Sequence, residues 1–448
     1  MNLTEQIAAA GVVGCGGAGF PTHVKLKGSF EYLIVNGAEC EPLLRHDRWL
    51  MRSKAEKIVA AMDAVAAELG IPNAVLALKE HYESERAALE AAIEQAGSRV
   101  RLHLLGSFYP AGDEQTLVCE VTGRVVPPAG IPAEVGAVVC NAATMYSVGL
   151  ALRGYPFIYK YLTVAGEVEH PVIACVPVGT SVAECIALAG GTKRSDYALV
   201  LGGPMMGRPL APDAAADTPV TKTTSAVLVL PEGSRTDGIS VRAMLNRARS
   251  ACIQCTTCTQ LCPRHLLGHP LEPHRIMRKM ATGVDVRELL NDPDVRNAQI
   301  CCECGVCEVY ACPMGLQPRR INAMLKGELG AAGVRYERKQ SEWRPDTLRG
   351  ERKAPAERVA ARAGVYAYYD REITELVYGA PSRVAIPLKM SAGAPAEPRV
   401  RVGDAVREGD LIAAIPDGKL GANVHASIAG TVAEVSDRIV IEKGGAGA

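Results

Sequence analysis

Net charge is missing from this 448-residue chain, in which Lys plus Arg and Asp plus Glu number 49 each. That balance excludes a globally basic nucleic-acid binder and a polyacidic tail. Aromatic residues are scarce, at 4%. The opening residues, MNLTEQIAAAG, lack the basic and apolar regions of a signal peptide. The thiols are therefore expected to meet a reducing cytosol, where disulfides are rare. No stretch qualifies as a transmembrane helix. The longest charge-free run, residues 135–152, is broken by Gly136, Asn141, Thr144, Ser147 and Gly149 and reads as buried strand, loop and helix start. What the chain does have is 44 glycines, 28 prolines and 48% apolar residues, the balance of a turn-rich α/β protein rather than a helical bundle. Its length suits roughly two to four domains. The outlying number is fifteen cysteines, an odd count.

The cysteines form two populations. Cys15, Cys40, Cys119, Cys140, Cys175 and Cys185 are scattered singly and read as small buried hydrophobes. The other nine lie between Cys252 and Cys312. There, Cys252-x2-Cys255-x2-Cys258-x3-Cys262-Pro263 has the bacterial ferredoxin spacing, and Cys301-x2-Cys304-x2-Cys307-x4-Cys312-Pro313 repeats it with one extra residue. Three thiolates two residues apart share one tight turn and can take three corners of an iron-sulfur cube, the fourth coming from the other motif. By that crossed logic one [4Fe-4S] cluster takes Cys252, Cys255, Cys258 and Cys312, and the other takes Cys301, Cys304, Cys307 and Cys262. Zinc sites are the competing reading, but they use pairs of Cys-x2-Cys or pairs completed by histidine, not a doubled three-thiolate run. Cys302 stands out of register within the second motif and reads as a bystander, with a ligand swap with Cys301 left open.

A pair of clusters is an electron wire, and its source should lie in the first half. After a helix expected over residues 3–10 comes Gly14-x-Gly16-x-x-Gly19, formally the dinucleotide fingerprint. That fingerprint needs a strand before it, and a helix stands there instead. Five glycines in the nine residues from Gly11 to Gly19 still let backbone N–H groups approach a phosphate, with Phe20 placed to cover a ring. A glycine-rich turn without a ligand is the alternative. An apolar strand over residues 32–35 then runs into Asn36, Glu39 and Glu41, polar groups at a strand's carboxyl end, where open α/β sheets bind ligands. Lys25, then Gly112, Asp113 and Glu114, then Asn141 and Thr144, repeat that pattern. They make a site only if the fold gathers them round one pocket.

The runs GGAGFPTHVKL, NGAECEP and AGDEQTL, followed by Asn141 and Thr144, resemble the flavin and NADH-binding subunit of respiratory complex I. With the doubled ferredoxin motif behind them, the chain is similar to the RnfC component of Rnf electron-transport complexes. Over essentially its whole length it resembles the PduS-type cobalamin reductases of bacterial microcompartments. The resemblance implies FMN held by Gly14, Gly16, Gly17, Gly19 and Lys25, with Asn36, Gly112 and Asn141 completing that shell. Phe20, Glu39, Glu41 and Glu114 would face NADH, and Asp113 and Thr144 would belong to the same cofactor-binding set. The complex I pattern carries Asp where Ala38 stands and Glu where Ala143 stands.

Residues 161–210 resemble a β-grasp (SLBB) module, with a helix expected over 182–189. The segment from Val400 to Ile441, with regular Gly-Asp turns, resembles a barrel-sandwich hybrid. Lys419 is displaced from the carrier position of that fold, so a docking module is expected rather than a modified lysine. The organisation expected is therefore multidomain α/β: a complex I flavin-subunit-like domain over 1–155, the β-grasp module over 156–215, a linker and connecting strand over 216–245, a two-cluster ferredoxin-like helical domain over 246–330, an exposed charged linker over 331–370, and the barrel-sandwich hybrid over 371–448. The function implied is electron transfer from NADH through FMN and two [4Fe-4S] clusters to cobalamin. A corrinoid adenosyltransferase or another redox acceptor, microcompartment proteins and a second copy of the chain in a homo-oligomer are the implied partners of a cytoplasmic protein. The alternatives are a general NADH dehydrogenase recycling NAD and an Rnf-like docking subunit. RnfC proteins carry the barrel module first, whereas here it comes last.

Overall fold

The computed structural model describes residues 1–233 and 239–444. Residues 234–238, in the expected connecting segment, and 445–448, at the end of the expected last module, lie outside the described residues. The first module is built on an all-parallel sheet in the order Arg101–Leu105, Asn73–Lys79, Tyr32–Asn36, Ala137–Asn141. Its central strands read as continuous apolar runs because both faces are covered. Leu33, Val35 and Leu76 pack towards the helices Ala55–Glu68 and Ala142–Ala151, and Ile34, Ala77 and Val139 pack towards Leu117 and Val118 of the helix Glu114–Thr122. The register sets Asn36 directly beside Asn141 at the strands' carboxyl ends.

The expected loop inside residues 135–152 is absent. The strand Ala137–Asn141 enters the helix Ala142–Ala151 without a break, because the Asn141 side chain accepts from the N–H groups of Ala143 and Thr144 and caps the helix itself. The helix Leu3–Ala9 precedes the glycine-rich loop, which is closed by a bridge between Val13 and Pro21 and by the Gly14 N–H donating to Phe20 O at 3.0 Å. It is therefore a pinched loop and not the strand-to-helix turn of a dinucleotide fold.

The second module is a six-stranded sheet in the order Leu376–Tyr378, Val172–Pro177, Tyr159–Gly166, Ala226–Pro231, Tyr197–Leu201, Arg208–Leu210. The helix Val182–Leu188, capped by Ser181 and Glu184, packs on it. An end of this module at residue 215 cuts the sheet. The strand Ala226–Pro231 lies in its middle, parallel to Tyr159–Gly166 and antiparallel to Tyr197–Leu201. The apolar run AVLVL is buried from both sides, as that central place requires.

The cysteine-rich module is a set of short helices around Met244, Leu271, Ile276, Ile321 and Leu325. The exposed connector expected over residues 331–370 holds for its first half only: most of residues 331–350 are exposed, whereas the chain beyond packs on the first module. Ala354–Pro355 pairs with Phe108–Tyr109 of the first module, and Arg349 and Lys353 both reach Glu120, at 2.6 and 2.7 Å. The helix Ala356–Arg362 follows, with Val359 and Ala360 fully buried. Arg338, Arg349 and Lys353 read in sequence like part of a solvated run, but they are ion-pair partners of Glu134 and Glu120 in the first module. The last module is a sandwich of a four-stranded and a three-stranded sheet, with Lys419 exposed in the turn between Leu411–Ala414 and Val424–His425. Among the described residues no helix is long and apolar enough to cross a membrane.

Candidate functional site

The carboxyl edge of the parallel sheet opens into a cavity of about 810 Å³. Eight of the residues expected at a cofactor line it: Gly16, Gly17, Asn36, Glu39, Glu41, Gly112, Asp113 and Asn141. The backbone holds them tightly. Asn36 Nδ2 donates to Gly112 O at 2.9 Å, tying the first strand to the Gly112 turn. Asn141 Nδ2 donates to Asp47 Oδ2 at 2.5 Å. The Cys15 N–H donates to Thr144 Oγ1 at 2.9 Å, fixing the glycine-rich loop to the helix that Asn141 caps. Thr144 thus anchors the loop from behind without lining the cavity.

Several expected residues serve the fold more than the cavity. The Glu39 carboxylate, 1% exposed, accepts from the N–H groups of Asp47 and Arg48 and lies 3.0 Å from His46 Nδ1. Burial opposes its ionisation, but His46 and those two N–H groups hold its carboxyl below the usual range. Asp47 goes the other way, pushed up by burial. Glu41 accepts from the N–H groups of Met205 and Met206 at 3.0 and 2.8 Å, tying the β-grasp module to the first one. Lys25 and Glu114 form an ion pair at 2.5 Å and, like Gly14, Gly19 and Phe20, are not on the cavity wall. Gly19 has φ of +66°, and a Cβ there would come within 2.9 Å of Thr223 and 3.0 Å of Met390 O. Its glycine answers to the close approach of two other modules.

Sequence reasoning missed half of the wall. Gly202, Gly203, Thr221, Thr223, Thr224 and Ser225 come from the β-grasp module, and Lys389, Met390 and Ser391 from the last one. The hydroxyl-rich run TKTTS was the available signal. His46 and Asp47 were missed too; Asp47 Oδ1 makes no hydrogen bond and lies 3.5 Å from His46 Nε2. Arg208 and Lys389 line the cavity, exposed and without a carboxylate partner among the described residues. Glycine N–H groups, two asparagines, hydroxyls and free cations suit a phosphorylated planar cofactor such as FMN.

The cysteines gather in two groups. Cys252, Cys255, Cys258 and Cys312 line one small cavity, and Cys262, Cys301, Cys304 and Cys307 line another together with Cys302. The two loops share a backbone device: Gln254 and Thr256 flank Cys255 with φ of +54° and +63°, and Glu303 and Gly305 flank Cys304 with φ of +57° and +82°. Left-handed residues on either side of the second cysteine turn the chain sharply about the thiols, at a cost that non-glycine residues meet only where the surroundings demand it. Donors already point at sulfur: Gln254 Nε2 lies 3.0 Å from Cys252 Sγ, and the Glu303 N–H is 3.3 Å from Cys301 Sγ. Four thiols around a small cavity with N–H donors on sulfur fit a [4Fe-4S] cube.

The cavities meet. Cys302 and Cys304 line both the large cavity and the second cysteine group. Two contacts tie the first module to this cysteine-rich region. The Tyr109 hydroxyl donates to Cys304 O at 2.7 Å, and Arg264 forks onto Asp113 with Nη1 to Oδ2 at 2.5 Å and Nη2 to Oδ1 at 2.9 Å. Burial opposes ionisation of Asp113, but the guanidinium and the Thr116 N–H hold its carboxyl below the usual range. Removing one partner of such a buried pair costs about 3–5 kcal/mol.

Four known domain families match the chain in order. They are the Nuo51 FMN-binding domain over residues 7–150, the SLBB domain over 161–209, the 4Fe-4S dicluster domain over 251–317 and the RnfC barrel sandwich hybrid domain over 364–448. The C component of the ion-translocating oxidoreductase complex of Rhodobacter capsulatus is 37% identical over 268 residues, which is 58% of this chain and 49% of that protein. Cobalamin reductase PduS of Citrobacter freundii is 40% identical over 98% of this chain and 96% of its own length. The same enzyme of Salmonella typhimurium is 41% identical over 98% of this chain and 96% of its own. An FMN-binding domain joined to a dicluster domain, matched from end to end at that identity, makes this chain a member of the PduS-type cobalamin reductase family of flavin iron-sulfur oxidoreductases.

Proposed function

We propose that this chain takes electrons from NADH and delivers them to a corrinoid, through FMN in the large cavity and two [4Fe-4S] clusters on the eight motif cysteines. The observation that carries the reading is the shared wall: Cys302 and Cys304 belong both to the large cavity and to the second cysteine group. FMN bound there would supply the conversion between two-electron and one-electron chemistry. Everything else falls to the protein. Gly16 and Gly17 would offer backbone N–H groups to the flavin phosphate, and Asn36, Gly112 and Asn141 would complete the wall that holds the cofactor. Arg208 and Lys389 offer charge to the phosphates of the nicotinamide nucleotide. Glu39, Glu41 and Asp113 are spoken for by N–H groups and by Arg264, so they act by holding the wall in place and not by moving protons. Cys262, Cys301, Cys304 and Cys307 would hold the cluster next to the large cavity, suited to receive electrons first. Cys252, Cys255, Cys258 and Cys312, of which Cys255 is exposed, would hold the cluster suited to pass them outward.

The order of modules and the match over nearly the full length favour the cobalamin reductase over an Rnf-like docking subunit, whose relative matches little more than half of the chain. The partner in this reading is a corrinoid held by an adenosyltransferase, within a bacterial microcompartment. Anaerobic NADH oxidation with adenosyltransferase-bound cob(III)alamin, compared with simple dyes, tests it. Corrinoid-dependent turnover is expected, and turnover with dyes alone would contradict the corrinoid assignment.

A further inference from the structure

The Arg264–Asp113 pair joins the two halves of the electron path: Asp113 stands on the wall of the large cavity, and Arg264 stands beside a motif cysteine. Arg264 follows Cys262 by two residues and is 8% exposed at its side chain; Asp113, at 11%, follows Gly112 on the cavity wall. The carboxylate also accepts at Oδ2 from the Thr116 N–H at 3.0 Å, as the cap of the helix Glu114–Thr122. The guanidinium makes no other side-chain hydrogen bond among the described residues, and Cys302 and Cys304 lie within its electrostatic reach. It is a buried, permanently charged group, delivered beside one cysteine group by a carboxylate of the other module.

We propose that Arg264, oriented by Asp113, is a positioning residue that sets the reduction potential of the cluster held by Cys262, Cys301, Cys304 and Cys307; the proposal rests on the electron-transfer reading above. A reduced cluster carries one more negative charge, so a nearby cation favours reduction and a nearby anion opposes it, strongly where water is excluded. The native pair balances the two. Removing either end therefore moves the potential in opposite directions, whereas a residue that merely held the modules together would move it the same way from both ends.

The test is an EPR-monitored redox titration of the full-length holoprotein, with iron and flavin content measured first. Asp113→Asn leaves the cation uncompensated and is expected to favour reduction of that cluster about tenfold, which is about 59 mV for a one-electron couple. Arg264→Gln leaves the carboxylate and is expected to disfavour it about as much. The double variant should return to within about threefold of the native value, with the other cluster unmoved throughout. Single variants that shift the same way, or leave the potential in place, would overturn the proposal. Should Arg264→Gln fail to retain iron, Arg264→Lys replaces it: charge kept means a potential within about threefold of native, and a tenfold loss would overturn the proposal. A native protein without two reducible clusters would defeat the electron-transfer reading itself, a separate outcome.

Discussion

The Tyr109 hydroxyl donates to the Cys304 carbonyl at 2.7 Å, across the seam between the flavin-type module and the cysteine-rich one. Both residues are buried, and the same hydroxyl lies 3.3 Å from Glu41 Oε1, which in turn holds the β-grasp module through Met205 and Met206. One phenol thus stands where three modules converge on the cavity. Burial first, then the neighbouring Glu41 carboxylate, pushes its ionisation far up, so it stays a neutral donor.

Tyr109→Phe should leave Cys304 O without its donor. An unsatisfied buried acceptor costs about 1–3 kcal/mol, and the expected result is a lower unfolding midpoint with iron and flavin retained. Calorimetry against the native protein checks it, and an unchanged midpoint would mean that the contact does not hold the seam.

Lys222 is fully buried, with Nζ 2.7 Å from Gly11 O and 2.8 Å from Asn423 O. Burial pushes its ammonium down to about 7 from an ordinary value of 10.5. Between those values the unfolded chain binds more protons than the folded one, so stability rises with pH across the window from about 7 to 10.5. The native protein should therefore gain stability relative to Lys222→Met as pH increases through that window, and the difference should be flat below it. Paired thermal melts measure this, and a gap that narrows with rising pH would refute it.

Arg208 and Lys389 line the cavity from two different modules without carboxylate partners among the described residues. If they meet nucleotide phosphates, Arg208→Ala and Lys389→Ala should each raise KM for NADH several-fold at low salt, with kcat nearly unchanged, because they contribute binding that does not change at the transition state. Steady-state kinetics with a dye acceptor tests this. A fall in kcat with KM unchanged would place them in another role.

How much of this was legible beforehand depended on distance along the chain. The cysteine pattern was, because a cube's corners are set by spacings of two and three residues, and the structure gathers the same two groups that crossed ferredoxin logic pairs. Asn36 and Asn141 were legible too, since each ends an apolar run at a sheet's carboxyl edge. What stayed hidden were pairings across the chain. Asp113 and Arg264 are 151 residues apart, and nothing local distinguishes that aspartate from a cofactor ligand. The apolar run of Ala226–Pro231 announces a buried strand, but hydrophobicity does not name the sheet it joins. Arg349 and Lys353 read as solvated charges because their partner Glu120 lies more than two hundred positions earlier.

The central claim is that electrons leave the flavin cavity through the group sharing its wall and then pass to the exposed group. Anaerobic NADH addition to Cys262→Ser and Cys312→Ser variants, read by EPR and iron content, tests it most directly. Each variant should lose about half of its iron. NADH should still reduce the remaining cluster in Cys312→Ser and fail to reduce the remaining one in Cys262→Ser. Rapid NADH reduction of the exposed cluster without its inner neighbour, or iron loss that does not follow the crossed pairing, would contradict the account.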